Sequence, residues 1–148
     1  MSRSKSRSAA RLAAVQASYQ RSMEGTPTAQ LLHEFHHHRL GATIEDIEYN
    51  EAEVAFFDDI VTGSIAREAE LDAAISARLS TGWSLDRLDK PMRALLRVAT
   101  YELLARADVP VKTVINEYID VADAFYDSRE KGFVNGLLDA VAKDVRGA

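Results

Sequence analysis

The side chains with the most evident chemistry lie at the very start of the chain. Arg3, Lys5 and Arg7 alternate with serines, Arg11 and Arg21 follow, and the first 21 residues contain no acid. Cations gathered at one end neutralise phosphates and release counterions, so the pattern predicts contact with an anionic polymer. Ser8 is placed to N-cap a helix, whose amino end adds backbone N–H donors and a dipole favourable to a phosphate. In this reading Arg7 and Arg11 are the principal contacts, and Arg3 and Lys5 contribute from a less ordered tail. The bland alternative is a solvated tail that serves solubility alone.

A second cluster, His33, His36, His37 and His38, offers imidazoles at helical spacing, with His33 and His37 one turn apart. Metal sites use such pairs, but only Glu34 is near enough in sequence to add a ligand, so surface histidines are expected and no metal. No glycine-rich phosphate loop, dinucleotide fingerprint or catalytic constellation occurs, and pairs such as Asp58-Asp59 read as a solvated helix face. The chain is therefore expected not to be an enzyme and to need no cofactor.

With 148 residues, 47% of them hydrophobic, the chain is long enough for one domain with its own core. The absence of cysteine excludes disulfides and thiolate chemistry. No apolar run approaches the ~18 residues of a membrane span, and the amino terminus lacks a signal core, so a cytoplasmic protein without membrane contact is expected. The net charge of −5 conceals an asymmetry: five of the 18 basic residues and none of the 23 acidic ones fall in the first 21 positions. A basic end on an acidic body suggests an anionic polymer at one site and a different partner at the other.

The elements that must position these groups read as helices throughout. Leu12, Val15, Tyr19 and Met23 recur at steps of three and four until Gly25, and Thr26-Pro27 restarts the chain toward Leu31, Leu32 and Phe35. Residues 41–50 are weakly patterned. Val54, Phe57, Val61 and Ile65 mark a long helix, Leu71, Ile75 and Leu79 a further one to Gly82, and residues 83–89 a connector. Pro91 fits the first turn of a helix with Met92, Leu95, Leu96, Ala99 and Leu103 on its apolar stripe. After Pro110, Val114, Ile115, Tyr118, Ala122 and Phe125 form the next stripe, and Phe133, Val134, Leu137, Leu138 and Val141 the last. No stretch alternates with period two, so the fold class is all-α. Asn116 and Asn135 interrupt apolar runs and are expected to tie helix ends as buried amides, and Gly136 to mark a close helix crossing.

The last third of the chain carries a resemblance. Arg97, Tyr101 and Glu102 on one helix, Pro110, Ile115, Asn116 and Glu117 on the next, and the run at 133–139 on the last closely resemble the NusB family of bacterial transcription antitermination factors. Arg11, Ala14, Val15, Gln16, Ala17 and Tyr19 are similar to that family's first helix. The likeness spans residues 8–146 and is poor only at 25–50. It implies about seven helices in two packed halves forming one domain at 8–148, and residues 1–7, with no hydrophobic residue after Met1, are expected to be a disordered basic arm. It also implies an adaptor that binds boxA-type single-stranded RNA of ribosomal RNA transcripts together with the ribosomal protein NusE, within the RNA polymerase antitermination complex. Single-stranded RNA calls for aromatic or guanidinium planes, and the resemblance makes Phe133 the platform beside the arm, with Arg129 and Lys131. A common family pattern has a lysine directly before that phenylalanine, whereas here Gly132 intervenes and turns Lys131 to another side of the helix. Tyr19, Met92, Leu95 and Glu102 are candidates for the protein partner. The alternatives are a protein-only adaptor or self-associating dimer, and a detached RNA-binding module of an RNA methyltransferase.

Overall fold

The computed structural model describes residues 3–36 and 51–147, all of them in helices and the turns between. His37, His38 and the weakly patterned stretch at 41–50 lie outside the described residues. Helix α1 (Arg3–Glu24) is followed by α2 (Thr28–Phe35), α3 (Glu51–Ala66), α4 (Glu68–Ser76), α5 (Lys90–Ala105), α6 (Val111–Asp123) and α7 (Ser128–Arg146). The sequence signals that break the chain act as expected at three places. Gly25 takes a left-handed φ of 69° and its N–H closes on the Arg21 carbonyl at 2.8 Å, ending α1. The Asp89 carboxylate accepts the Met92 N–H at 2.9 Å, with Pro91 in the first turn of α5. Pro110 occupies the position before α6.

Helices α1 to α3 form one half and α4 to α7 the other, and α5 is the shared element, packing against α1, α3, α4, α6 and α7. Its residues explain that place, since Leu95, Leu96, Val98, Ala99 and Leu103 are all fully buried. The carboxyl end of α5 is closed by α7: the Arg146 guanidinium donates to the carbonyls of Leu103 and Val109 at 2.6 Å and of Arg106 at 2.8 Å. A cation there satisfies carbonyls without helical partners and complements the negative end of the helix dipole.

Several sequence expectations are corrected. Helix α1 begins at Arg3 instead of Ser8, so residues 3–7 form its first turns. Arg and Lys are good helix formers, and the Ser8 hydroxyl, in place of capping, donates to Glu117 on α6 at 2.5 Å. The buried face of α1 takes in only part of the large-residue stripe: Val15 is buried and Leu12 packs against the core, but Tyr19 and Met23 are exposed, and Ala10, Ala13, Ala14 and Ala17 complete the inward face. Alanines let α1 lie close against α3 and α5. The close-approach glycine is Gly63, not Gly136. A Cβ at Gly63 would run into the Tyr101 ring, whereas one at Gly136 would meet nothing. Asn116 and Asn135 face solvent, and so does Phe125 beyond the end of α6. Helix α4 stops at Ser76, short of Leu79, and a 3₁₀ turn at Leu85–Arg87 leads into α5.

Candidate nucleic-acid interface

Two polar assemblies lie at opposite ends of α5. At its carboxyl end Arg11, only 3% exposed, reaches from α1 to Glu102, which is wholly buried. The guanidinium meets that carboxylate with both arms, Nε to Oε1 at 2.9 Å and Nη2 to Oε2 at 2.7 Å, and its third nitrogen reaches Glu117 at 2.9 Å. The Tyr118 hydroxyl donates to Glu102 at 2.8 Å. Burial disfavours the Arg11 charge, but the hydrogen bonds and the fields of Glu102, Tyr118 and Glu117 outweigh it and raise the pKa further above its ordinary value. Burial, with Glu102 beside it, holds the Tyr118 phenol well above its usual range. Arg11 is therefore a permanent cation clamping α1 to α5 and α6.

This geometry corrects two assignments. Arg11 is a structural ion-pair partner facing inward and presents no guanidinium to a phosphate. Glu102 is its counter-ion, wholly enclosed, and offers nothing to a protein partner. Leu95 is likewise core, and Met92 is 4% exposed and reaches only the floor of a groove. Helical spacing did place these residues on a stripe, but the stripe faces inward.

Around the clamp, Arg7, Arg11 and Arg106 hold their guanidiniums over the Phe56 ring at 4.4, 5.0 and 5.1 Å from its centre. Arg7 remains partly exposed and lies 3.8 Å from Glu53. Arg3 and Lys5 precede it on the first turns of α1. Tyr101 donates to Asp59 on α3 at 2.6 Å, beside Arg106 at 3.2 Å from the same carboxylate. Burial and that hydrogen bond push the Tyr101 phenol up to about 12. Arg97 forms a two-armed pair with Asp72 on α4 at 2.7 and 2.9 Å. Arg97, Tyr101 and Glu102, the signature residues of α5, are thus each a tie between helices.

At the amino end of α5 an open groove of about 470 Å³ lies between the connector at 79–89 and the start of α7. Leu79, Leu88 and Met92 contribute its apolar lining, Trp83 with Arg87 one wall, and Arg129, Glu130 and Phe133 the other. Phe133 is 38% exposed, so it is a surface aromatic. It is not beside the arm: Met92, in its groove, and Glu102, in the clamp, are ten residues apart on α5, about 15 Å of helix rise. Lys131 turns away to pair with Asp123 at 2.7 Å, a bond that raises its pKa. The sequence reading passed over Trp83 and Arg87 as connector. Their signal was an aromatic and a cation four residues apart in a segment with no apolar period.

Elsewhere, His36 bonds Asp58 at 2.6 Å and sets its ring edge-on to Phe57, and His33 is exposed. Among the described residues no three metal-ligating side chains gather, and no helix is long and apolar enough to cross a membrane.

The sequence model of the NusB family matches residues 8–143, nearly the whole chain. The chain belongs to the NusB family. Two relatives, both transcription antitermination proteins NusB, confirm it at high identity: that of Sphingopyxis alaskensis is 67% identical over 144 residues, 97% of each chain. That of Novosphingobium aromaticivorans is 65% identical over 142 residues, 96% of each. Among solved structures, T. maritima NusB superposes with a TM-score of 0.77 at 31% identity, over 93% of this chain and 90% of that one. A chain from a crystal structure of the antitermination factors NusB and NusE in complex with double-stranded RNA has a TM-score of 0.78 at 25% identity, over 95% of this chain and 98% of that one. As a member of that family the chain is a transcription antitermination factor and not an enzyme.

Proposed function

We propose that the protein is an RNA-binding adaptor that grips boxA-type single-stranded RNA of ribosomal RNA transcripts jointly with NusE, and so supports processive elongation by RNA polymerase. It would act in the cytoplasm, where its RNA and ribosomal partner are made. The observation that carries the reading is the start of α1. Arg3, Lys5 and Arg7 load the positive end of a helix that has no acid in its first turn. Like charge at that end is unfavourable and a bound anion relieves it, so the start of the helix favours phosphate binding. The Arg11 and Ser8 contacts to Glu102 and Glu117 fix the direction in which this end projects. A crystal structure of the same fold holding NusB and NusE with double-stranded RNA supports the choice of NusE and RNA as partners.

For the protein partner, the accessible candidate is Tyr19, with Met23 one turn further along the exposed side of α1. An acidic body meeting a basic ribosomal protein would gain in encounter rate and register. Splitting the RNA surface between two proteins makes tight binding conditional on both.

The test is charge reversal of Arg3 and Lys5 together. RNA affinity and the salt slope of binding should both fall, the slope by roughly one to two units for two lost phosphate contacts, while NusE binding and the thermal midpoint stay unchanged. Undiminished RNA affinity would remove the arm from the mechanism, and failure of the unaltered protein to discriminate the boxA-type strand even with NusE bound would favour a protein-only adaptor or a self-associating dimer.

A further inference from the structure

Glu53 stands in the first turn of α3 and is wholly buried. An enclosed carboxylate is costly unless a cation meets it, and Arg7 of α1 brings one, its Nε 3.8 Å from the Glu53 Oε1. That distance is too long for a hydrogen bond, so the pair is an electrostatic tether and not a closed two-armed bridge.

Three guanidiniums lie over the Phe56 ring, and they are not equivalent. Arg11 engages all three of its nitrogens on Glu102 and Glu117, and Arg106 is held by Asp59 at 3.2 Å and Asp108 at 3.3 Å. Arg7, one turn before Arg11 on α1, has its Nε enclosed beside Glu53 and its guanidinium carbon 4.4 Å from the Phe56 ring centre. Its two Nη atoms form no hydrogen bond among the described residues, and 22% of the side chain stays exposed. A planar guanidinium held at Nε and along one face has its Nη edge left to offer, and that edge is the fork that fits two oxygens of one phosphate. An arginine already seated also avoids the ordering that a loose side chain undergoes on binding.

We propose that Glu53 is a positioning residue for RNA binding: it holds the Arg7 Nε against Phe56, so that the two Nη atoms present a preformed fork to a backbone phosphate. The inference rests on the RNA-binding reading above, and it makes Arg7 a fixed contact where Arg3 and Lys5 add charge. A purely structural tie between α1 and α3 would close the fork, as Glu102 and Glu117 close that of Arg11.

One substitution separates positioning from charge, because the two predict opposite signs. Glu53→Gln removes a negative charge near the bound phosphate, which by charge alone tightens RNA binding; loss of positioning weakens it. Binding of boxA-type single-stranded RNA to the full chain with NusE is measured against salt for the wild type, Glu53→Gln, Arg7→Met and the double variant, with circular dichroism to check folding. Arg7→Met should weaken binding by roughly ten- to 100-fold and lower the salt slope by about one unit. Glu53→Gln should weaken it by roughly three- to 30-fold, and the double variant should bind no more weakly than Arg7→Met alone. Arg7→Lys leaves Glu53 in place and keeps the charge but has neither Nε nor a planar fork, so it should show most of the Arg7→Met loss; it decides the question should Glu53→Gln fail to fold. Glu53→Gln that binds RNA as tightly as the wild type or more tightly, Arg7→Lys or Arg7→Met with wild-type affinity, or losses that add in the double variant would each overturn the positioning role and leave the RNA-binding reading standing. Absence of RNA binding by the wild type even with NusE overturns both.

Discussion

Replacing Arg11 with methionine should unfold the protein far more readily without acting directly at the RNA surface. The substitution keeps a long apolar stem and removes a guanidinium that is 3% exposed. What remains is Glu102, buried completely, with the Tyr118 hydroxyl as its hydrogen-bond partner and no counter-ion. Breaking a buried pair from one side costs about 3–5 kcal/mol because the other charge stays enclosed. At roughly 2–4 °C per kcal/mol for a domain of this size, the thermal midpoint should fall by about 6–20 °C. Glu117→Gln should cost less, since that carboxylate is partly exposed and meets only one arm of the guanidinium. The double change Arg11→Met with Glu102→Gln should recover much of the loss, because no isolated charge is left. Urea denaturation with an unchanged slope, backed by calorimetry, measures all three. An Arg11→Met protein with wild-type stability and lost RNA affinity would refute the reasoning, showing that the guanidinium faces solvent and phosphate.

Gly63→Ala should destabilise the fold by about 1–3 kcal/mol, because the new methyl must displace the Tyr101 ring and strain its bond to Asp59. Urea midpoints check this, and Gly136→Ala, where a Cβ meets nothing, should be neutral or stabilising. Stability should also fall at alkaline pH. The Tyr101 phenol titrates at about 12 when folded against 10.0 ordinarily, so the unfolded chain loses its proton first. The contribution is complete below about pH 10 and disappears as pH rises through about 12. Tyr118 and Tyr126, also raised, add in the same direction. Denaturant midpoints across that interval, compared with Tyr101→Phe, read the Tyr101 share, and a Tyr101→Phe profile with the same slope as wild type would count against it.

Helix class and three of the breaks were legible because they depend on local signals: Gly25, Pro91 and Pro110 each act within a few residues of themselves. Large aliphatic stripes on α5 and α7 were legible for the same reason. What spacing alone did not show was which polar residue on a stripe is buried with a partner. Arg11 and Glu102 are 91 positions apart and read separately as an RNA contact and a partner contact. The inward face of α1 was only half legible: Leu12 and Val15 lie on it, but alanines bury as completely as leucines when helices lie close, and a pattern weighted to large residues points on to the exposed Tyr19 and Met23. Asn116 and Asn135 break an apolar run yet face outward, since a run wider than the buried arc must reach solvent somewhere. The groove stayed hidden because its walls come from an irregular connector and from α7, brought together only by tertiary packing.

The most direct test of the adaptor account is RNA affinity measured against salt for a boxA-type single strand and a scrambled control, each with and without NusE. The account predicts that NusE tightens binding of the boxA-type strand much more than of the control, and that charge reversal at Arg3 and Lys5 flattens the salt slope. Equal binding of the two RNAs with NusE present would contradict it.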